Sequence, residues 1–135
     1  MQIEQMSEEM LAALIEALPG EITLLNANDE VAGWNKHEKR LFHRPLTCMG
    51  LNARQCHPEA TVPLVEQILN DMKAGKRDVA RFWLDMEVPY DTTKHKILIE
   101  FFALRNPAGK YLGCMEYAQD VEPIRHMEGQ KRLLD

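Results

Sequence analysis

The chain has 135 residues, a hydrophobic fraction of 45% and a formal net charge of −5. This length suits a single domain with its own core, and the acidic balance gives no support for general nucleic-acid binding. No apolar run is long enough to cross a bilayer, and the acidic start at residues 1–9 lacks the pattern of a signal peptide.

The first predicted element is an amphipathic helix at the N-terminus. Ser7 can cap this helix, and Glu8 and Glu9 suit the positive end of its dipole. Pro19 and Gly20 end it. One stripe of the helix collects its apolar residues, which are Met6, Met10, Ala13, Leu14, Ala17 and Leu18.

Two short strands and a basic segment come next. The strands are predicted at residues 22–25 and 31–34, and Asn35 is expected to cap a short helix over residues 36–42. The chain before Lys36 has seven acids and no Lys or Arg, whereas residues 36–44 hold four Lys/Arg and two His. The favoured interpretation is a solvated helix face, and the alternative is an anion or partner site.

The middle of the chain combines an irregular region with a well-marked helix. Residues 44–56 are the least periodic part, and Pro45, Gly50 and Pro58 break this region into short helical turns and loop. Residues 61–74 predict a helix that ends before Gly75. Its apolar face is formed by Val62, Val65, Ile68, Leu69 and Met72.

The last third predicts three strands and a terminal helix. The strands cover residues 78–86, 96–105 and 111–119, and a tight turn at 106–109 joins the last two. Residues 121–134 are expected to form a helix. Two early strands and three late ones then predict an α+β fold, with a five-stranded antiparallel sheet and helices on one face.

This order of elements and several local motifs resemble the PAS domain family. Residues 25–31 (LNANDEV) look like the family's first hairpin, Asn35 lies where PAS domains often carry Asn, and residues 120–122 look like its terminal Asp-Ile-Thr. The segments CHPEATVPLVEQIL, DVARFWLDM, FFALRNPAGKYLGCMEYAQDV and MEGQKRLLD are similar to a bacterial subgroup that occurs beside hemerythrin-like domains. The resemblance covers roughly residues 10–135.

The resemblance implies a sheet order of 2-1-5-4-3, with the helix at 61–74 packed across it. It also implies three segments: an N-terminal helix at 1–20, a PAS core at 21–120 and a terminal helix or linker at 121–135. PAS domains hold a small ligand, a cofactor or nothing between sheet and helix, and signal through terminal helices. The expected function is therefore a sensory or protein-interaction module, with an attached output or hemerythrin-like domain as a possible partner.

A ligand cavity is expected between the helix at 61–74 and the sheet. Alternation along residues 96–105 turns Ile97, Ile99 and Phe101 inward and Glu100 outward, where a carboxylate costs less. The expected ligand-binding residues are Val65, Leu69, either Phe82 or Trp83, Ile97, Ile99 and Phe101, with His57 near the rim and Glu116 beside it.

His57 can take three roles: a structural hydrogen bond to the backbone, a polar contact with a ligand, or ligation of heme iron. In heme PAS sensors the iron-binding His lies within the long helix, and residues 61–74 contain no His. Flavin is not expected, because the Asn-Cys-Arg-Phe-Leu-Gln-type helix is missing and Ala118 stands where flavin-binding PAS domains have Gln.

The orientation of Glu116 depends on the register of the last strand. One register turns Leu112, Cys114, Glu116 and Ala118 inward, so that Glu116 would need a partner such as His57. The other register exposes Glu116 and is slightly favoured; a bulge could decide between them.

Neither an enzyme nor a protein-bound metal ion is expected. Cys56 and His57 are adjacent in sequence and so rarely point at each other, and no set of nucleophile, base and oxyanion donors can be assembled. The three cysteines lack a C-x-x-C spacing and the five histidines show no paired spacing. With eight methionines, this composition predicts a reducing, cytoplasmic setting.

Self-association is the final expectation. The apolar stripe of the N-terminal helix and the outer sheet face at Leu98, Phe102 and Leu104 both need cover. A homodimer through these surfaces is favoured, and the alternative is a helix that covers the face within one chain. Trp83 would join the interface if it lies on the outer face.

Overall fold

Five antiparallel strands form one sheet in the order β2-β1-β5-β4-β3, which confirms the predicted fold class. The structure is a computed structural model that describes residues 2–134. Short 3-10 turns lie at Gln2–Gln5, Leu46–Cys48, Ala53–Gln55 and Glu59–Thr61. The helices and strands are α1 (Glu8–Ala17), β1 (Glu21–Asn26), β2 (Val31–Trp34), α2 (Val62–Lys73), β3 (Val79–Glu87), β4 (Lys94–Arg105), β5 (Tyr111–Asp120) and α3 (Glu122–Arg125).

The β4–β5 hairpin lies at the centre of the sheet. β4 pairs with β5 from Ile97 opposite Asp120 to Arg105 opposite Tyr111, and a bulge near the turn leaves Leu112 outside the pairing. Gly109 closes the turn with φ +86°, a conformation that favours glycine. The bulge sets the orientation of every later side chain on β5.

The core lies between α2 and the inward face of the sheet. α2 contributes Val65, Leu69 and Met72, and β4 contributes Ile97, Ile99 and Phe101, so the predicted inward face of β4 is confirmed. The expected exposure of Glu100 is wrong, since this carboxylate is only 7% exposed and pairs with Arg81 at 2.7 Å. Each such side chain contributes about 2 kcal/mol through removal of apolar surface from water. The packing of α2 on β4 and β5 gives the domain one wall of its cavity.

The predicted C-terminal helix is wrong beyond its first turn. α3 covers only Glu122–Arg125, and Gly129 takes φ +61°. Leu133 and Leu134 are 96% and 99% exposed, so the apolar side chains at this end pack on none of the residues that the structure describes. An isolated helix of this length is marginal in water without such packing. Met1 and Asp135, the end residues of the predicted terminal segments, lie outside the described residues.

The predicted helix at 36–42 is also wrong, and Asn35 is not a helix cap. Its fully buried side chain accepts a hydrogen bond from Ile22 N at 2.7 Å and donates to the carbonyls of Ile15 (2.9 Å) and Gly20 (3.2 Å). Asn35 therefore joins the end of α1 to the start of β1. Lys36 follows with φ +52°, which does not continue into a helix.

The basic segment is not a solvated helix face, because Arg40 is buried. Its guanidinium donates to the carbonyls of Ile22 and Asn35, and it lies 3.8 Å from the carboxylate of Glu21. Burial lowers the pKa of Arg40, and the charge of Glu21 opposes that shift. Within residues 2–134, no helix has the length and apolar character needed to cross a membrane.

Candidate functional site

A cavity of about 610 Å³ lies between α2 and the inward face of β3, β4 and β5. The four apolar residues Val65, Phe82, Ile99 and Phe101, all predicted for the site, line it together with His57 and Glu116. The sequence did not indicate several others, which are Phe42, Arg44, Thr61, Leu64, Ile68, Arg77 and Ala80. This volume and mostly apolar lining are typical of small-molecule sites.

Three predicted cavity residues lie elsewhere. Leu69 and Ile97 are 0% exposed and pack in the solid core beyond the cavity. Trp83 is 65% exposed, because alternation along β3 turns Phe82 toward the cavity and Trp83 to the outer face. Of the two residues expected from β3, Phe82 therefore lines the cavity and Trp83 does not.

The polar end of the cavity consists of Arg44, His57 and Glu116. A guanidinium nitrogen of Arg44 lies 3.5 Å from Oε2 of Glu116, and Nε2 of His57 lies 4.0 Å from the same oxygen. All three side chains are at most 18% exposed. The favoured exposure of Glu116 was wrong: its register buries Cys114 and Ala118 inward, while the bulge leaves Leu112 exposed.

The position of the hydrogen on His57 follows from its partner. Nδ1 lies 2.8 Å from the carbonyl oxygen of Ala53, and a carbonyl oxygen only accepts, so Nδ1 carries a hydrogen. Nε2 then faces Glu116 and bears a lone pair when the ring is neutral. His57 thus makes the structural hydrogen bond considered from the sequence and also presents a polar atom to the cavity.

The thiol groups near the cavity are not activated. Burial, followed by contact with Cys48, raises the pKa of Cys56, and burial raises the pKa of Cys114 to about 12. A raised pKa keeps a thiol protonated at neutral pH, whereas a nucleophilic cysteine needs a lowered one. Among the described residues, no cluster of three His, Cys, Asp or Glu side chains is arranged to hold a metal ion.

A second group of ionisable residues lies at the far end of the sheet, where the chain leaves β5. Both ring nitrogens of His95 are hydrogen-bonded, Nε2 to Asp91 at 2.7 Å and Nδ1 to Asp120 at 2.6 Å. Asp120 also accepts from the hydroxyl of Tyr90 and from Glu122 N, the first residue of α3. The hydrogen bond to Asp91, followed by that to Asp120, raises the pKa of His95.

Known proteins share both sequence features and the fold of this chain. A sequence model described as a PAS domain matches residues 11–122. The structure is similar to a C-terminal domain from Streptococcus mutans, with a TM-score of 0.81, 26% identity and coverage of 91% of each chain. Among proteins with curated descriptions, none matches this chain.

Two more distant structures share the fold. The PAS domain of BvgS from Bordetella pertussis has a TM-score of 0.61 at 14% identity, over 87% of this chain and 90% of that one. A VqmA–ligand–DNA complex from Vibrio cholera has a TM-score of 0.60 at 16% identity, over 96% of this chain and 64% of that one. At such identities the likeness extends to the fold alone.

Proposed function

This chain belongs to the PAS domain family, and from that premise we propose that it is a sensory module that binds a small molecule between α2 and the sheet. One observation carries the proposal: the cavity of about 610 Å³ has a mostly apolar lining, and Arg44, His57 and Glu116 converge at one end of it. Such a combination of apolar surface with a few convergent polar groups is the general pattern of ligand sites. Binding rather than turnover is the proposed activity, because the nearby thiols are not activated.

The proposed signal runs along β5. Glu116 faces the cavity from this strand, and the last residue of the strand, Asp120, accepts a hydrogen bond from Glu122 N at the start of α3. A ligand that moves Glu116 therefore acts on the strand that leads to the C-terminal segment. An attached output or hemerythrin-like domain in the cytoplasm would receive the change.

The first test fills the cavity. Ala80 lines it from β3, whereas the next residue along the strand toward the N-terminus, Val79, is on the outer face and 39% exposed. We expect mass spectrometry of denatured extracts to find a small molecule with the wild-type protein and with Val79→Phe, but not with Ala80→Phe. Absence of any such molecule from the wild-type protein would favour the alternative, a PAS domain used only for protein contacts.

Heme is a second candidate, favoured by the geometry of His57. Its Nδ1–H is fixed by Ala53 O, which directs Nε2 to the cavity as in many metal-ligating histidines. When bound, heme would supply redox or gas-binding chemistry at its iron. Protein from heme-replete cells should then show a Soret band that His57→Ala lacks, and a colourless wild-type protein would exclude this candidate.

The proposed partners are a small molecule and a second copy of the chain. The Vibrio structure holds both a ligand and DNA, and only the ligand is carried into this proposal, since a net charge of −5 does not favour DNA. The homodimer is proposed on the exposed apolar outer face of the sheet, where Trp83 is 65% exposed.

A further inference from the structure

The chemistry of the ligand follows from two hydrogen-bond acceptors at the polar end of the cavity. Nδ1 of His57 is committed to Ala53 O, so a neutral ring presents only the lone pair of Nε2 to Glu116. Oε2 of Glu116, 4.0 Å away, belongs to a carboxylate and also accepts only. Two acceptors at this distance do not bond each other, but one donor can bond both.

A nitrogen that carries two hydrogens meets this geometry. A donor placed at an ordinary hydrogen-bond distance from both atoms sees them about 90° apart. The two hydrogens of an amino group are spread somewhat more widely than this, so both hydrogen bonds stay nearly straight. A hydroxyl or ring N–H has a single hydrogen and satisfies only one of the two acceptors.

Arg44 adds a donor next to this pair. Its guanidinium is 3.5 Å from Oε2 of Glu116, which is long for a charge-assisted hydrogen bond, so it can donate to a ligand without losing a strong contact. Two other cations line the cavity but are paired, Arg77 with Asp71 at 3.3 Å and Arg81 with Glu100 at 2.7 Å. The polar end itself therefore combines one cation and one anion beside the imidazole. A ligand carboxylate would be repelled by Glu116, and an alkylammonium by Arg44.

The wall that the sheet contributes favours a flat ring. The rings of Phe82 and Phe101 lie 6.0 Å apart between centroids with 25° between their planes, and both line the cavity. Aromatic ligands gain from offset stacking on such rings as well as from burial.

We propose that the cavity binds a neutral aromatic heterocycle whose ring amino group lies next to a ring nitrogen acceptor, as in aminopyrimidines and 6-aminopurines. The amino group donates to Glu116 and His57, and the neighbouring ring nitrogen accepts from Arg44. This inference rests on the proposed function, since it names the ligand class of the same cavity.

The test compares heterocycles that differ by the amino group alone. Adenine is titrated against purine, and 2-aminopyrimidine against pyrimidine, with Kd taken from amide chemical shifts of cavity residues at about pH 8. We expect each amino compound to bind at least about tenfold more tightly, as one well-placed pair of hydrogen bonds allows.

Matched variants separate the possible failures. Glu116→Gln should reduce the preference to about twofold, whereas Glu87→Gln, the same substitution at an exposed position at the end of β3, should leave it unchanged. Equal binding of all four compounds at the cavity would overturn the inference and leave the sensory function standing. If no compound shifts a cavity amide, and indole as an apolar probe also fails to do so, the proposed function fails as well.

Discussion

At the scale of single residues, Asn35 joins three parts of the chain through one buried amide. Asn35→Asp keeps the acceptor for Ile22 N but places a carboxylate oxygen 2.9 to 3.2 Å from the carbonyls of Ile15 and Gly20. Both hydrogen bonds are replaced by repulsion, so we expect the free energy of unfolding to fall by about 3 kcal/mol. Urea denaturation measures the loss. Asn28→Asp, an exposed turn substitution with the same charge change, should cost far less, and an equal cost would contradict this account.

Gly113 is a second residue whose role depends on one close contact. A Cβ at this position would lie 2.1 Å from the backbone oxygen of Leu25, across the β1–β5 pairing. The oxygen cannot move without breaking that pairing, so Gly113→Ala is expected to destabilise the protein by about 3 kcal/mol or to prevent folding. Gly33 on β2 is the matched control, since a Cβ there meets nothing within 4 Å. Thermal unfolding of both variants is the measurement, and similar melting temperatures would refute the steric argument.

At the scale of elements, the His95 group predicts how stability depends on pH. Hydrogen bonds to Asp91 and Asp120 raise the pKa of His95, so its contribution is complete below the ordinary histidine value of about 6.5. That contribution is lost as pH rises through the raised pKa. The hydrogen bond from His95 and those from Thr92 and Thr93 lower the pKa of Asp91 to about 2. The contribution of Asp91 is therefore present above about 3.9 and lost as pH falls toward about 2.

The group should thus stabilise the fold most between about pH 4 and pH 6.5. We expect the urea midpoints of the wild-type protein and His95→Gln to differ most near about pH 5.5. This difference should shrink as the pH rises to about 9. His126→Gln is the control, because His126 is 72% exposed and pairs with Glu122 at the surface. A His95→Gln difference that stays constant over this range would show that the ring acts by packing alone.

The sequence predicted best those elements whose type and buried face follow from their own pattern of apolar residues. The alternation of apolar residues on β4 and the apolar face of α2 each required burial on one side, and the structure buries Ile99, Phe101 and Val65 accordingly. The order of elements then predicted the α+β class, and the resemblance to the PAS family implied the sheet order that the structure has. Four of the residues that line the cavity, Val65, Phe82, Ile99 and Phe101, were predicted in the same way, because they lie on regular elements.

The elements that sequence predicted poorly depend on distant partners. Residues 36–44 have helix-compatible composition, but the hydrogen bonds of Arg40 and Asn35 to β1 and to the end of α1 replace the helix with turns. Arg44 reaches the cavity from this irregular segment, so no periodicity could assign it there. Glu116 faces inward because the bulge at Leu112 changes the alternation on β5, a change that no local pattern marks.

At the scale of the whole molecule, two apolar surfaces have no cover from the described residues 2–134. α1 buries none of its residues, and Met10 and Leu14 are 56% and 42% exposed. On the outer face of the sheet, Val79 and Trp83 of β3 lie beside partly exposed Phe102 and Leu98 of β4. A twofold dimer that joins these surfaces would bury about 800 Å² per partner, the size typical of a stable interface.

This arrangement predicts a dimer that depends on Trp83. We expect sedimentation equilibrium to show dimers of residues 1–135 at micromolar concentration, and Trp83→Lys to weaken the association by more than about tenfold, since a buried tryptophan is a common hot spot. Leu46→Lys, which adds the same charge at a 70% exposed site on a distant loop, should not change it. A chain that begins at Pro19 should associate less strongly, because α1 supplies part of the surface. If the wild-type chain stays monomeric at high micromolar concentration, the outer face of the sheet does not join two copies, and an attached domain becomes the better candidate to cover Trp83.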